Sequence, residues 1–476
     1  METDRFGRHM SIEMLPDDLL LEIFDYHHLA AQDYSLFGPW EWHRLAHVCR
    51  RWRTVIFTSP RRLDLRLIYT YRKPVRKTLD CWPLALPLSI WYPRLVLYRP
   101  LSPADEENVI AALEHPSRIC EINLTLTRPL LEKLTPLMQD PFPMLEDLHL
   151  GSRDMMESLV LPGTFLGGST PRLRRIDLDG TPFPTLPQLL LTAHDLVCLR
   201  LYEIPNSGYF SPESLVTGLD ATPKLTFLEI CFLHPTSGLG QHSPRTYPQT
   251  RVALPALTEF QFRGDNEYLE DLIARIDAPN IEQFSATLFD QRRFELSQLA
   301  EFIGRTEELM SSPLRTSIWL WERGFSITHY FGPPSSGWTF QLQISCYELA
   351  RQVTLLTRIC GQLALLVASG VEKLDIEADS VSSDWRDETD AARWLELFTP
   401  FREVRRLELT GSLVPRVVSI LEQSAGDIGQ GVLPSLRDLH LRSNLVPPSM
   451  ESFVATRQLS GRTVTIHYTE DEGDDP

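Results

Sequence analysis

The sequence predicts a mixed α/β protein, with a small helical module at the amino terminus followed by a long array of strand–helix units. Two segments near the amino terminus, residues 11–28 and 40–57, place apolar residues at helical spacing. Further along the chain, one short strand-like pattern returns many times, and most of the connecting segments have helical periodicity. A chain of 476 residues is too long for a single core, so more than one domain or an extended array is expected.

The first helical segment reads SIEMLPDDLLLEIFDYHH, residues 11–28. Pro16 suits the first helical position, where no N–H is needed, and Asp17 and Asp18 suit the first turn because the helix dipole favours negative charge there. A short terminal helix cannot bury a broad apolar stripe alone, so it needs a packing partner in this chain or in another one. The stripe consists of Leu19, Leu20, Ile23 and Phe24.

A second helix is predicted in WEWHRLAHVCRRWRTVIF, residues 40–57. The stretch between the two helices ends at Gly38-Pro39 and is predicted to be a loop. One interpretation is a terminal helical pair docked on the rest of the protein, and the other is a pair that shares one face with another chain. The apolar residues of the second helix, spaced by three and four, are Leu45, Val48, Cys49, Trp52, Val55 and Ile56.

The order of these residues resembles the F-box family. That family has a Leu-Pro-x-Glu-Leu-Leu-x-x-Ile-Phe opening, a later Val-Cys-x-x-Trp, and a Ser-Pro exit into a strand. The three elements occur here in the same order, at residues 15–24, 48–52 and 59–65. Asp18 stands where Glu is usual, and the loop before the second element is longer than in the family. The resemblance covers residues 12–65.

The resemblance implies a compact three-helix module that binds a Skp-family adaptor, which in turn bridges to a cullin scaffold. Leu15 and Pro16 would enter a groove of the adaptor. A helical face that docks into a groove is a common mode of protein recognition. The other positions carried over from the family would be divided between adaptor contact and the core of the module itself: Leu19, Leu20, Ile23, Val48, Cys49 and Trp52.

Nine segments in the rest of the chain share one pattern, and most of them begin with proline. Their apolar residues lie two apart, which predicts a strand with one buried face. They recur every 23 to 33 residues, apart from one gap of 90 that is about three repeats wide. FQLQI at 340–344 and RICEINLTL at 118–126 are interpreted as further members. The nine segments are 143–150, 171–178, 194–201, 223–230, 255–262, 279–286, 371–378, 402–409 and 434–441.

A repeated strand–helix unit of this length is typical of solenoids. The Leu-x-x-Leu-x-Leu core resembles irregular leucine-rich repeats, although the Asn of that family is mostly absent. The resemblance implies an irregular, leucine-rich-repeat-like solenoid of strand–helix units. The predicted organisation is an extension at 1–11, the F-box at 12–65, the array at 66–468 and an acidic tail at 469–476.

Each repeated strand is predicted to point its middle apolar residue into one core. The residues on either side point outward and lean acidic, as Asp375 and Glu408 do. Two long loops, 232–254 and 326–338, bring Tyr247, Tyr330, Phe331 and Trp338. We expect these loops and the outward strand face to hold a protein substrate through its basic residues. The inward residues are Leu148, Ile176, Leu199, Leu228, Phe260, Phe284, Leu374, Leu407 and Leu439.

Composition argues against several classes of function. The formal net charge of −17 opposes general nucleic-acid binding, which needs a basic surface. The seven cysteines are scattered without CxxC spacing, which favours reduced thiols over a disulfide framework or structural zinc. No apolar run reaches membrane-spanning length, and the charged first residues do not fit a signal peptide. We therefore expect a cytoplasmic or nuclear protein that binds neither nucleic acid nor membrane.

Two motifs raise the question of catalysis. DLDGT at 177–181 matches the nucleophile motif of haloacid-dehalogenase-like phosphatases, with Asp177 as nucleophile and Asp179 as acid/base. The motif lies inside a repeated strand, however, and its partner motifs are not recognisable downstream. A metal site at His43, His47 and Cys49 has no evident carboxylate partner. We expect no enzymatic activity, no cofactor and no metal.

Two interpretations of function remain. The first is a substrate-recognition adaptor subunit of a Skp–cullin–F-box ubiquitin ligase, in which the repeats bind a protein substrate. The second is a leucine-rich-repeat scaffold that binds proteins without a ligase role. Binding of a Skp-family adaptor distinguishes the two.

Overall fold

The computed structural model divides the chain into two compact units, Met1–Thr181 and Pro182–Pro476. Both contain helices and a largely parallel sheet. The described residues are 12–32, 42–59, 67–69, 76, 79, 86–92, 102–152, 159–236, 250–290, 294–306, 313–331, 338–363, 370–379, 391–424, 432–443, 450–459 and 461–469.

The amino-terminal unit begins with a 3-10 turn at Ile12–Met14, followed by helices α1 (Asp17–Gln32), α2 (Trp42–Ala46) and α3 (Arg50–Thr58). Its strands are β1 (Leu67–Tyr69), β2 (Leu88–Tyr92), β3 (Ile119–Leu126), β4 (Asp147–Ser152) and β5 (Arg175–Asp179). These strands pair in chain order and all run parallel. Helix α4 (Pro103–Leu113) connects β2 to β3, and α5 (Arg128–Leu134) connects β3 to β4. The strand predicted at 118–126 is therefore confirmed.

The sequence sets the start of α4 through a capping box. The Oγ atom of Ser102 accepts a hydrogen bond from the Asp105 N–H at 3.3 Å, and the Asp105 carboxylate accepts one from the Ser102 N–H at 3.3 Å. Pro103 then occupies the first helical turn, where the missing N–H costs nothing.

The carboxy-terminal unit repeats the alternation of strand and helix. Its helices are α6 (Leu186–Leu190), α7 (Pro212–Leu219), α8 (Asn266–Arg275), α9 (Ser297–Gly304), α10 (Leu349–Gln362), α11 (Ala391–Phe398), α12 (Val414–Ser424) and α13 (Glu451–Leu459). Its strands are β6 (Cys198–Ile204), β7 (Phe227–Phe232), β8 (Val252–Ala253), β9 (Glu259–Gly264), β10 (Ile276–Asp277), β11 (Gln283–Leu288), β12 (Arg315–Trp321), β13 (Gly324–Phe331), β14 (Trp338–Ser345), β15 (Lys373–Ala378), β16 (Arg406–Gly411), β17 (Asp438–Arg442) and β18 (Thr465–Thr469). The main sheet runs β6-β7-β9-β11-β14-β13-β12-β15-β16-β17-β18, and β8 pairs with β10 separately.

The long gap in the repeat series holds an antiparallel insertion. Strand β13 runs antiparallel to both β12 and β14, whereas β14 is parallel to β11 and β12 is parallel to β15. The chain therefore passes β11, folds back through β12, β13 and β14, and reaches β15 by way of α10. The strand predicted at FQLQI is confirmed as part of β14, but the expectation that the gap is three repeats wide does not fit this reversed order.

The prediction of a loop at 326–338 is wrong for its first half. Residues 326–331 belong to β13, because the ladder with β12 and β14 supplies partners for their backbone groups. Phe331 is buried in the core at 1% exposure, so it is not a loop anchor. Tyr247 and most of the loop at 232–254 lie outside the described residues, as does the side chain of Trp338.

The nine inward residues are buried within their own units, as predicted for strands with one apolar face. All nine are at most 2% exposed, and they align strand by strand: Leu148 beside Ile176, Leu228 beside Phe260, and Leu407 beside Leu439. The rings of Phe284 and Phe340 stack in the same column with their centroids 5.4 Å apart. The register therefore gives most strands a large apolar neighbour on the next one.

Two polar residues interrupt this column at the insertion. His329 on β13 is the register partner of Phe340 on one side and of Thr316 on the other. Both His329 and Thr316 are fully buried, and the Nδ1 atom of His329 lies 2.8 Å from the Thr316 Oγ1. Burial lowers the pKa of His329 to about 4, so the imidazole is neutral in the folded protein near neutral pH.

Removing one member of the column should leave a cavity. We expect Leu407→Ala to lower the free energy of unfolding by about 2–5 kcal/mol, because a fully buried leucine loses both transfer energy and packing contacts. Thr410→Ala, on the outward face of the same strand, should cost less than about 0.5 kcal/mol. Urea unfolding of the full chain measures both, and equal effects would contradict the inward assignment.

The buried His329 predicts a pH dependence of stability. Its pKa in the folded chain, about 4, lies below the ordinary 6.5, so the unfolded chain binds the proton more tightly. This contribution is complete above pH ~6.5 and is lost as the pH falls towards 4, by up to roughly 3 kcal/mol. His329→Gln does not titrate, so its urea midpoint should fall less between neutral and acidic pH than that of the wild type. Parallel pH curves for the two proteins would refute this prediction.

Candidate protein-interaction site

The three amino-terminal helices share a small core. Helix α1 contributes Leu20, Leu21 and Phe24, and α3 contributes Val55 and Ile56, each at most 5% exposed. The ring of Phe24 packs against Trp52 of α3, with the centroids 4.8 Å apart. The apolar stripe predicted on α1 therefore has a partner in this chain, but only along one side of the helix.

A second apolar face of the same helices stays in solvent. Leu19 and Ile23 lie one turn apart on α1, and they are 45% and 44% exposed. Val48, in the turn between α2 and α3, is 60% exposed. Large aliphatic side chains exposed together on one helix face are typical of a surface that binds another protein.

The prediction of one continuous helix over 40–57 is wrong. Helix α2 ends at Ala46, and α3 begins at Arg50. Between them Cys49 has extended backbone, with φ −154° and ψ 172°, and its Sγ accepts a hydrogen bond from the Trp52 N–H at 3.4 Å. A residue with that backbone cannot continue a helix, so Cys49 caps α3 and is exposed. Of the two environments expected for it, core or surface, Cys49 therefore takes the surface.

Pro16 also lies differently from its predicted place. It precedes α1, which begins at Asp17, and its carbonyl accepts a hydrogen bond from the Leu20 N–H at 3.1 Å. Proline fits this position because its carbonyl accepts the first helical hydrogen bond, while no N–H donor is needed there.

Arg51 is a positioning residue that the sequence did not reveal. Its Nε and Nη2 atoms lie 3.0 and 2.6 Å from Oδ1 of Asp17, and Nη2 also donates to the carbonyl of Leu15. These bonds tie α3 to the segment that carries Leu15 and Pro16. The only sequence signal was an acidic first turn on α1, which by itself does not identify the arginine.

The structure thus divides the eight predicted contact residues into three groups. Leu20 is buried in the core, while Leu15 and Trp52 are partly exposed. The remaining positions are exposed: Pro16, Leu19, Ile23, Val48 and Cys49.

The residues that raised the question of catalysis have structural partners. Asp177 lies on β5 with its Oδ2 atom 3.1 Å from the Nδ1 atom of His149 on β4. It is therefore an outward residue in a cross-strand pair. The side chain of His43 lies outside the described residues.

Comparison with known proteins agrees with the helical module. Residues 12–66 match the family model described as F-box-like. The chain therefore carries an F-box-like domain. This match supports the prediction of an F-box protein and implies binding of a Skp-type adaptor. No family match covers the strand–helix array as leucine-rich repeats. A search of the curated proteins gives no match. None of the described helices is long and apolar enough to cross a membrane.

The division into core and surface can be tested by stability alone. We expect Leu20→Ala to destabilise the domain by about 2–5 kcal/mol, because it opens a cavity beneath Phe24 and Ile56. Leu19→Ala should change stability by less than about 0.5 kcal/mol, because its side chain is already half in solvent. Thermal unfolding of the full chain compares these adjacent residues, and a larger loss from Leu19→Ala would contradict the division.

Proposed function

We propose that this protein is the substrate-recognition subunit of a Skp–cullin–F-box ubiquitin ligase. The observation that carries the proposal is the exposed apolar face of α1 in the F-box-like domain, formed by Leu19 and Ile23, together with the exposed Val48 in the turn before α3. These side chains lie outside the buried core of the domain, so a partner can contact them without unfolding the domain.

The adaptor would dock along α1 and the turn before α3. Leu15 and Pro16 would be presented to it by the Arg51 contacts with Leu15 and Asp17. Apolar anchors at the centre of such an interface can each cost about 2 kcal/mol or more when truncated. The adaptor would in turn bridge to a cullin.

The array at 66–468 would form an irregular leucine-rich-repeat-like solenoid that holds the substrate. The support is that the strands outside the β12–β14 insertion are parallel and in chain order, together with the helical connections and the column of large apolar residues. In this role the protein has no chemistry of its own and needs no cofactor. It raises the local concentration of a substrate beside a ubiquitin-conjugating enzyme, in the cytoplasm or the nucleus.

The alternative function is a protein-binding scaffold without a ligase. The same array would serve it, and the F-box-like face would then be unused. Adaptor binding separates the two proposals.

Co-purification with a Skp-family adaptor is the deciding experiment. We expect Leu19→Ala combined with Ile23→Ala to weaken adaptor binding by at least about tenfold, because both changes remove exposed anchors and spare the core. Leu191→Ala combined with Leu459→Ala removes exposed leucines of the other unit, 47% and 90% exposed, and should leave binding unchanged. Wild-type adaptor affinity in the folded Leu19/Ile23 variant, or no binding by the wild type, would overturn the proposal.

A further inference from the structure

Two tryptophans lie side by side on the outward face of the carboxy-terminal sheet. Trp319 and Trp321 alternate with buried residues along β12, and their ring centroids are 4.9 Å apart. Trp319 is 44% exposed although it is a large aromatic residue on a strand. Their register partners on β13 are the small residues Ser326 and Gly324. A Cβ atom on Gly324 would come within 3.0 Å of the Trp321 ring, so small residues make room for the indoles.

Hydrogen bonds hold the backbone of Trp321 and the indole of Trp319 in place. The fully buried side chain of Gln352 donates through Nε2 to the carbonyl oxygens of Trp321 and Cys346, at 3.0 and 2.7 Å. The indole N–H of Trp319 donates to Oδ1 of Asp379 at 3.1 Å. The backbone of Asp379 is fixed in turn by its own N–H, which donates to the Leu320 carbonyl at 3.2 Å. The Trp319 indole and the backbone of Trp321 are thus both held by hydrogen bonds before any ligand arrives.

Negative charge lies beside the rings. Asp379 and Glu377 are exposed, and Glu377 is the register partner of Trp319 on β15. Glu322 and Arg323 in the β12–β13 turn are both exposed and opposite in charge, so they add little net charge. A carboxylate that accepts one indole hydrogen bond still has lone pairs for further donors.

Two other acidic residues of this face, Asp375 and Glu408, lie in ion pairs. The Nζ atom of Lys373 lies 3.3 Å from Oδ1 of Asp375 and 3.3 Å from Oε2 of Glu408. Arg315 also forms an ion pair with Asp375. Burial raises the pKa of Glu408, but Lys373, Arg406 and Arg442 outweigh it and hold that pKa below its ordinary value. A basic group from outside would have to displace these ion pairs, whereas beside the tryptophans it would meet an aromatic face and Asp379.

We propose that this surface, the tryptophan shelf (Trp319, Trp321, Glu377 and Asp379), binds an arginine side chain on an extended peptide segment. A guanidinium is planar and weakly hydrated, so it stacks on an indole while its N–H groups reach a carboxylate. The inference rests on the proposed function in one respect, that the peptide segment belongs to a substrate of the ligase. It predicts that such substrates carry an exposed arginine in an unfolded or extended stretch.

Peptide binding to the full chain tests the proposal. The probe is a fluorescein-labelled Gly-Ala-Arg-Ala-Gly peptide, compared with the same peptide carrying citrulline, which has the shape of arginine without its charge. We expect the arginine peptide to bind at least about tenfold more tightly in fluorescence anisotropy, because cation–π and charge-assisted contacts both need the cation. Trp319→Ala and Asp379→Asn should each abolish most of this difference, and Trp319→Tyr should restore part of it.

Matched variants control for general effects. Tyr468→Ala removes another exposed aromatic residue of the same sheet, 54% exposed, and Glu372→Gln removes another exposed acid. Both should keep wild-type peptide affinity. Equal binding of the two peptides, no binding of the arginine peptide up to about 1 mM, unchanged binding in Trp319→Ala, or equal loss in the controls would each overturn the proposal. Adaptor co-purification is measured separately, so its failure counts against the ligase role and not against the shelf.

Discussion

Most strands of the carboxy-terminal sheet set a large apolar side chain beside that of their neighbour, and this constraint governs the rest of the unit. Phe260, Phe284 and Phe340 lie in one column because the register is kept from strand to strand. A slip of one residue would turn every such ring into solvent, since side chains alternate between faces. The same register places Glu408 diagonally across from Lys373, two residues along the next strand, where the two side chains form an ion pair.

The antiparallel insertion keeps the register while reversing the direction of one strand. The insertion makes the core less apolar, because His329 and Thr316 enter the column where other strands place Leu or Phe. Their mutual hydrogen bond offsets part of the cost of burying two polar groups. On the other face of the same strands the insertion carries Trp319 and Trp321. A local departure from the repeat that coincides with an exposed aromatic pair is what a binding site built on a regular scaffold requires.

Local pattern made the repeated strands predictable, and long-range pairing made the insertion unpredictable. The spacing of Leu407 and Leu439 within their segments is enough to assign an inward residue, because a strand has a period of two. The reversed order of β12, β13 and β14 depends on which edges pair, and no single segment encodes it. The break at Cys49 was missed for a similar reason, since helical spacing continues across it while the backbone does not. In the F-box-like domain the motif located the helical module, but the contact of Arg51 with Asp17 joins residues far apart in the sequence and has no local signal.

The separation of Leu19 from Leu20 explains how one short helix contributes to the core of the domain and also exposes an apolar face. Consecutive helical residues point about 100° apart, so Leu20 enters the core while Leu19 and Ile23 face outward. Leaving a leucine in water forgoes about 1.5–3 kcal/mol of burial, which a partner recovers on binding. Leu20, Phe24 and Ile56 are buried in a core within the domain, whereas Leu19 and Ile23 lie outside it. Substitutions on the outer face therefore test the proposed interface separately from stability.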